Sequence, residues 1–198
     1  MTIAFDVHRL PSLPPVGDAA VVMGVFDGVH VGHRALLDAT VQAAADGRGR
    51  PVALVFWPHP RDVLTQGPPV PRLTSRDETA RRVADCGVTP VAIGFDLATS
   101  ALSPEAFLDA LAPALGIRTL VMTRDSAFGH RRAGTFARAV EIGRDRGFAV
   151  REVAIVRDGP DPVSSTRVRT MVTSGDLDGA ARLMAHPAGV DGTVAADG

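Results

Sequence analysis

The sequence predicts an α/β domain built on a parallel, doubly wound, five-stranded sheet with helices on both faces. Three observations lead there. Short apolar runs rich in β-branched residues recur along the chain, and segments of helical periodicity separate them. Strands joined through helices run parallel, and a parallel sheet is covered on both faces. The 198 residues are 45% hydrophobic, enough for one good core, and show no internal repeat or low-complexity tract.

Residues 1–18 carry Pro11, Pro14 and Pro15 and lead extended into a first strand, Ala19-Ala20-Val21-Val22-Met23. A glycine-broken turn over 24–33 follows. Ala35, Leu36, Ala39, Thr40, Ala43 and Ala44 then recur at helical spacing, giving a helix over about 31–46 that ends in Asp46-Gly47-Arg48-Gly49. The second strand covers 51–56 and stops at Pro58-His59-Pro60. A proline-rich loop over 67–71 is mobile or braced. Thr74 or Ser75 caps a helix through 83, with Asp77 and Glu78 favourably placed in its first turn. A third strand spans 89–95. Ser103-Pro104-Glu105-Ala106 opens the next helix, with Leu108, Leu111 and Leu115 as its apolar stripe. The fourth strand is 119–122, a helix covers 134–146, and the fifth strand is 148–155. Ser164-Ser165-Thr166 begins a short helix, residues 176–184 form another, and 189–194 add an edge strand.

Composition narrows the chemistry. The formal net charge is −1, so nothing global suggests a nucleic-acid or membrane-surface binder. No apolar run is long enough to span a bilayer, and the N-terminus lacks a signal-peptide pattern. The single cysteine, Cys86, has no internal disulfide partner, which fits a cytoplasmic protein; it falls at a helix end and reads as a small core residue. All 21 basic side chains are arginine. Without lysine there is no Walker-type P-loop and no Schiff base, so any phosphate is held by arginine, histidine, hydroxyls and backbone.

Two stretches carry that chemistry. In Gly24-Val25-Phe26-Asp27-Gly28-Val29-His30-Val31-Gly32-His33, glycines admit close backbone approach and the helix start presents free N–H groups to an anion. His30 and His33 are three residues apart and share one helix face. In Ser164-Ser165-Thr166-Arg167-Val168-Arg169, three hydroxyls sit at a helix start beside fork-shaped donors that suit phosphate. Taken alone, the second stretch also reads as a plain capping box with two solvated arginines.

Together these stretches resemble the H-x-G-H nucleotidyltransferase superfamily, and within it the FMN adenylyltransferase module of prokaryotic FAD synthetases. The likeness runs over about 21–192. It implies a Rossmann-like domain over 1–185 and a tail over 186–198 that looks like the remnant of a linker to an absent riboflavin kinase module, so no kinase activity is expected. It also implies transfer of AMP from ATP to FMN, giving FAD and pyrophosphate, with Mg²⁺ bridging phosphates. His30, His33 and Arg169 become the catalytic residues. Gly24, Phe26, Asp27, Gly28, Gly32, Ser165 and Thr166 join them around ATP, although Asp27 can instead brace the turn. No metal-ligating residue is assigned.

Phe56-Trp57-Pro58-His59-Pro60 resembles the family's F-D-P-H-P with tryptophan at the acid, and His59 is either a ligand contact or a turn residue bonded to backbone. Asp125, Phe128 and Gly129 match a run that shapes the flavin site, while Thr123 and Ser126 replace its glycine and first phenylalanine and remove one aromatic face. Two alternatives share these residues: transfer of an adenylyl or cytidylyl group to another phosphorylated acceptor, and a non-catalytic nucleotide or flavin sensor. The expected partners are small molecules, with no nucleic acid and no membrane; the oligomeric state is not readable from sequence.

Overall fold

A computed structural model describes residues 5–10 and 12–189. In chain order the elements are β1 (Val7–His8), β2 (Gly17–Gly24), α1 (Val31–Gly47), β3 (Arg50–Trp57), α2 (Pro60–Leu64), α3 (Arg76–Asp85), β4 (Thr89–Gly94), α4 (Leu97–Ser100) and α5 (Pro104–Leu111). There follow β5 (Leu115–Met122), β6 (Ala127–Phe128), a 3₁₀ turn (His130–Arg132), β7 (Gly134–Thr135), α6 (Phe136–Arg146), β8 (Ala149–Glu152), β9 (Arg157–Asp158), β10 (Asp161–Pro162), α7 (Ser165–Ser174) and α8 (Leu177–Met184).

The main sheet has the order β1-β4-β3-β2-β5-β8, and every neighbouring pair is parallel. The chain winds one way from β2 through β3 to β4, then returns to the other side of β2 with β5 and β8. The order therefore reverses between β2 and β5, and a doubly wound sheet opens its ligand crevice at the carboxyl ends of those strands.

Alternation along the strands explains the two cores. Ala19, Val21, Val52, Leu54, Ile93 and Leu120 face one side, where Phe107 and Leu111 of α5 and Ile142 of α6 cover them. Ala20, Val22, Ala53, Val55 and Val121 face the other, under Leu37 and Ala44 of α1 and Val83 of α3. A third, smaller cluster joins Val168 of α7 to Leu183 and Met184 of α8 and reaches Val31 and Leu73. Among the described residues no helix is long and apolar enough to cross a membrane.

Several expectations are corrected. The sheet has six strands, because Val7–His8 pairs with Ala92 and Ile93 and closes the edge that β4 would leave open. Leu115 begins β5 rather than ending a helix stripe: Ala112 precedes Pro113, which disfavours further helix, so α5 stops at Leu111. The fifth strand ends at Glu152, since its partner β5 ends at Met122; the Val153 amide makes one last bond to the Met122 carbonyl. Gly134 and Thr135 pair with β6, and Thr135 caps α6 through its hydroxyl. Ser75, not Thr74, caps α3, and Cys86 is its half-buried C-cap, packed against the core. The proline-rich loop is braced, with Asp62 accepting from the Val70 amide and from Arg72, both at 2.8 Å. The expected edge strand over 189–194 lies outside the described residues, apart from Gly189.

Gly143 shows how closely α6 lies on the chain that returns to the sheet. A Cβ there would stand 2.5 Å from the Phe148 carbonyl oxygen. Helix propensity alone would make Gly143→Ala stabilising by about 1 kcal/mol. The steric contact reverses that sign, so the variant is expected to lose about 1–3 kcal/mol in urea unfolding.

Candidate active site

The carboxyl end of β2 runs into a turn that departs from ordinary backbone. Phe26, Gly28 and Val29 have φ of 54°, 79° and 37°. A β-branched residue at positive φ is rare and strained, so surrounding contacts have to hold it. Those contacts converge on Asp27, which is 3% exposed. Its Oδ1 accepts from the amides of Leu73 (2.9 Å) and Thr74 (3.2 Å), and its Oδ2 accepts from Arg169 Nη2 at 2.6 Å. Its carbonyl accepts from the Ser165 hydroxyl at 2.9 Å. The Gly28 amide donates to Thr74 Oγ1 at 3.0 Å, and the Gly28 carbonyl accepts from His186 Nε2 at 2.9 Å. A Cβ on Gly28 would meet Leu73 Cδ1 at 2.8 Å, so glycine here admits the packed loop rather than a ligand.

His30 caps α1. Its Nδ1 accepts from the His33 amide at 3.2 Å, which leaves the proton on Nε2. The two imidazoles stack with centroids 3.7 Å apart and planes 12° apart. Burial dominates their titration. It lowers His30 to about 4, against partial support from its own backbone and Asp27, with Arg169 lowering it further. His33 is held well below the usual histidine range by burial and by His30 beside it. Both rings are therefore neutral near pH 7 and offer N–H dipoles rather than charge.

A cavity of about 910 Å³ opens at the switch point. Gly24, Asp27, His30, Gly32, His33, Ser165, Thr166 and Arg169 line it, as do His59, Asp125, Phe128 and Gly129. Phe26 and Gly28 do not; Phe26 is buried, tilted against His33 with ring centroids 5.2 Å apart. The first turns of α1 and α7 both border the cavity, so two helix N-termini present their partial positive ends to one space. Arg169 donates through Nε to the Pro71 carbonyl (2.8 Å) and through Nη2 to Asp27, leaving Nη1 without a partner among the described residues. Arg167 turns away: it pairs with Asp158 at 2.5 Å and does not line the cavity. His59 is the turn residue bonded to backbone, capping α2 by accepting from the Arg61 amide (3.1 Å), and it also lines the cavity.

Sequence reasoning found Phe128 but missed the rest of the apolar wall. Phe56, Phe95, Phe107 and Phe128 line the cavity as one aromatic chain, with centroids 5.7 Å apart for Phe56 and Phe95 and 6.0 Å apart for Phe56 with Phe107 and for Phe107 with Phe128. They come from the ends of three strands and from α5, so no linear motif joins them. They supply the aromatic surface that Ser126 lacks. Thr123, Asp125 and Ser126 bond to one another instead, with the Thr123 hydroxyl 2.5 Å from Asp125 Oδ1 and 2.7 Å from Ser126 Oγ.

Fold and site together define a doubly wound α/β protein with a strained, anion-facing turn at its switch point. A solved structure titled macrolide-efflux protein from Streptococcus pneumoniae shares this fold, with a TM-score of 0.82 and 23% identity over 92% of this chain and 60% of that one. The FAD synthetase family pattern matches residues 15–167, and the chain belongs to that family. The bifunctional riboflavin kinase/FMN adenylyltransferase of Escherichia coli strain K12 is 33% identical over 98% of this chain. The protein of that name from Listeria monocytogenes is 32% identical over 88% of it. The chain spans 62% and 56% of the length of these two relatives.

Two outcomes test the site. Asp27→Ala would leave Arg169 and two amides without their acceptor, and is expected to destabilise by about 3 kcal/mol in denaturant melts, as when one partner of a buried ion pair is removed. The His30 shift also has a stability consequence. With a folded value of about 4 against 6.5 unfolded, the unfolded chain binds the proton first as pH falls through that window. Stability should therefore decline between pH 6.5 and 4, His30 contributing about 3 kcal/mol. Melts of His30→Asn, which keeps a cap acceptor, should show a shallower decline.

Proposed function

We propose that the chain transfers AMP from ATP to FMN, giving FAD and pyrophosphate. The observation that carries this reading is the convergence, in one cavity beside an aromatic wall, of two helix N-termini, two neutral imidazoles and Arg169. Phosphates suit the first set of groups and a flavin ring suits the wall. The names of the relatives support the same assignment.

In this mechanism a phosphate oxygen of FMN attacks the α-phosphorus of ATP in line. The new P–O bond forms as the bond to the β-phosphate oxygen breaks, and the electron pair leaves with pyrophosphate. The attacking oxygen is already ionised, so no general base is required. Catalysis then consists of positioning and of dipoles aimed at the phosphates. His30 donates from Nε2, its orientation fixed by the cap bond at Nδ1. The amides opening α1 and α7 add their dipoles. Arg169, anchored on Asp27 and Pro71, offers Nη1 to the departing pyrophosphate. His59, Asp125, Phe128 and Gly129 border the flavin.

ATP enters as its Mg²⁺ complex. Among the described residues no three histidine, cysteine or carboxylate groups are placed to hold a metal, and the Asp27 carboxylate is taken up by its donors. Magnesium would be held chiefly by the phosphates of ATP and would neutralise their charge, and no step is routed through it. Residues 1–185 are read as the transfer domain and 186–198 as a C-terminal tail; a cytoplasmic location goes with this reading.

Pyrophosphate release from Mg²⁺-ATP, measured with and without FMN alongside chromatography for FAD, is the test. FAD and pyrophosphate in equal amounts are expected. Release only with another phosphorylated acceptor would reject flavin, and ATP binding without release would move the chain to a sensor. His30→Ala is expected to lower turnover by about 10²–10³, the effect of removing one preorganised donor. A variant that keeps more than half of wild-type turnover would remove His30 from the mechanism.

A further inference from the structure

Two further cationic side chains line the cavity that the transfer chemistry leaves unassigned. Arg61 lies on α2 just after the His59 cap, and Arg131 lies in the 3₁₀ turn after Gly129. Both side chains are exposed, and both line the cavity. Neither guanidinium has an ion-pair or hydrogen-bond partner among the described residues.

Some exposed arginines of the chain sit on carboxylates, as Arg138 does between Glu105 and Glu141 and Arg146 on Asp109, and others such as Arg48, Arg50 and Arg144 do not line the cavity. The acids nearest in sequence are already occupied. Asp62 accepts from Arg72 and the Val70 amide, and Asp125 accepts from the Thr123 hydroxyl. The loop that carries Arg131 is also held in a demanding conformation. Gly129, Arg131 and Arg132 have φ of 71°, 50° and 60°, and two successive non-glycine residues in the left-handed region are rare. Arg132 Nη2 donates to the Asp125 carbonyl at 2.9 Å, and β6 pairs with β7 on either side, so the loop is pinned against the cavity rather than free.

A guanidinium with no carboxylate, facing a space built for anions, presents a fork of charged donors that matches phosphate. We propose that Arg61 and Arg131 form a phosphate-recognising pair at the cavity, a selectivity determinant that favours phosphorylated ligands over their less phosphorylated counterparts. The proposal rests on the flavin and nucleotide reading above. The shared chemistry is a phosphate group, carried either by the flavin acceptor or by the β and γ positions of the nucleotide. Sequence inspection passed over both residues because each looks like an ordinary surface arginine; only the folded cavity places them on a common lining.

The test is equilibrium titration of the full chain with FMN, riboflavin, ATP and AMP, repeated on the double variant Arg61→Ala, Arg131→Ala. If the pair holds the acceptor phosphate, affinity for FMN falls about tenfold while that for riboflavin is unchanged, the size expected for lost charge-assisted hydrogen bonds. If it holds the nucleotide tail, ATP weakens and AMP does not. Either result supports the pair, and Arg61→Lys with Arg131→Lys should recover much of the loss by restoring charge. Circular dichroism checks folding, and the single variants Arg61→Gln and Arg131→Gln replace the double one should it fail to fold. Unchanged FMN-to-riboflavin and ATP-to-AMP ratios overturn the proposal. A wild-type chain that binds none of the four ligands overturns the parent reading together with it, whereas wild-type binding with no loss in the variants removes the pair alone.

Discussion

The carboxylate of Asp27 is the constraint on which the site depends. It is almost wholly buried, and it meets two amides and a guanidinium. Those donors come from the 72–74 loop and from α7, so one side chain ties the turn after β2 to two segments remote in sequence. A buried carboxylate is costly unless its acceptor sites are filled. Here they are filled, and one of the donors, Arg169, itself borders the cavity. The strained backbone at Phe26 and Val29 persists because this brace, with Thr74 on Gly28 and Ser165 on the Asp27 carbonyl, leaves the turn no relaxed alternative.

From that brace follow the electrostatics. Holding the turn in place sets His30 at the head of α1 and presses its ring on His33. Burial keeps both imidazoles uncharged, so fixed positive charge at this end comes from Arg169, whose direction Asp27 sets. Helix dipoles and neutral N–H donors then supply the rest of the positive potential. Under the transfer proposed above, such a site would need little reorganisation as charge moved between phosphates, the requirement for stabilising a phosphoryl transition state. The aromatic wall stands in the same cavity because Phe56 and Phe95 end neighbouring strands, and Phe107 and Phe128 pack beneath them.

Much of this was legible in the chain. Alternation of apolar strands with helical segments announced a parallel, doubly wound sheet, and the caps at Ser103 and Ser164 marked helix starts. His30 and His33 stood out by spacing, Ser165 and Arg169 by the family likeness, and the fold places all four on one cavity. Boundaries were less legible where a remote partner sets them. The Val7–His8 strand exists because β4 offers an edge, and β8 ends where β5 ends. Asp27 was read two ways from sequence, and the brace role became visible only once Leu73, Thr74 and Arg169 were beside it. Arg167, a weaker candidate than Arg169, is turned by two positions around the helix towards Asp158.

By itself, then, the sequence determined the class of fold and the local chemistry of each motif, because periodicity, capping and glycine turns act over a few residues. The tertiary structure decided which of those groups share a space. It neutralised two histidines by burial, committed Arg169 to Asp27 and Arg167 to Asp158, and assembled four phenylalanines from separate elements into one wall. It also left Arg61 and Arg131 without carboxylates at the same cavity. Burial, pairing and convergence depend on contacts between residues far apart in the chain, and only the folded sheet brings those residues together.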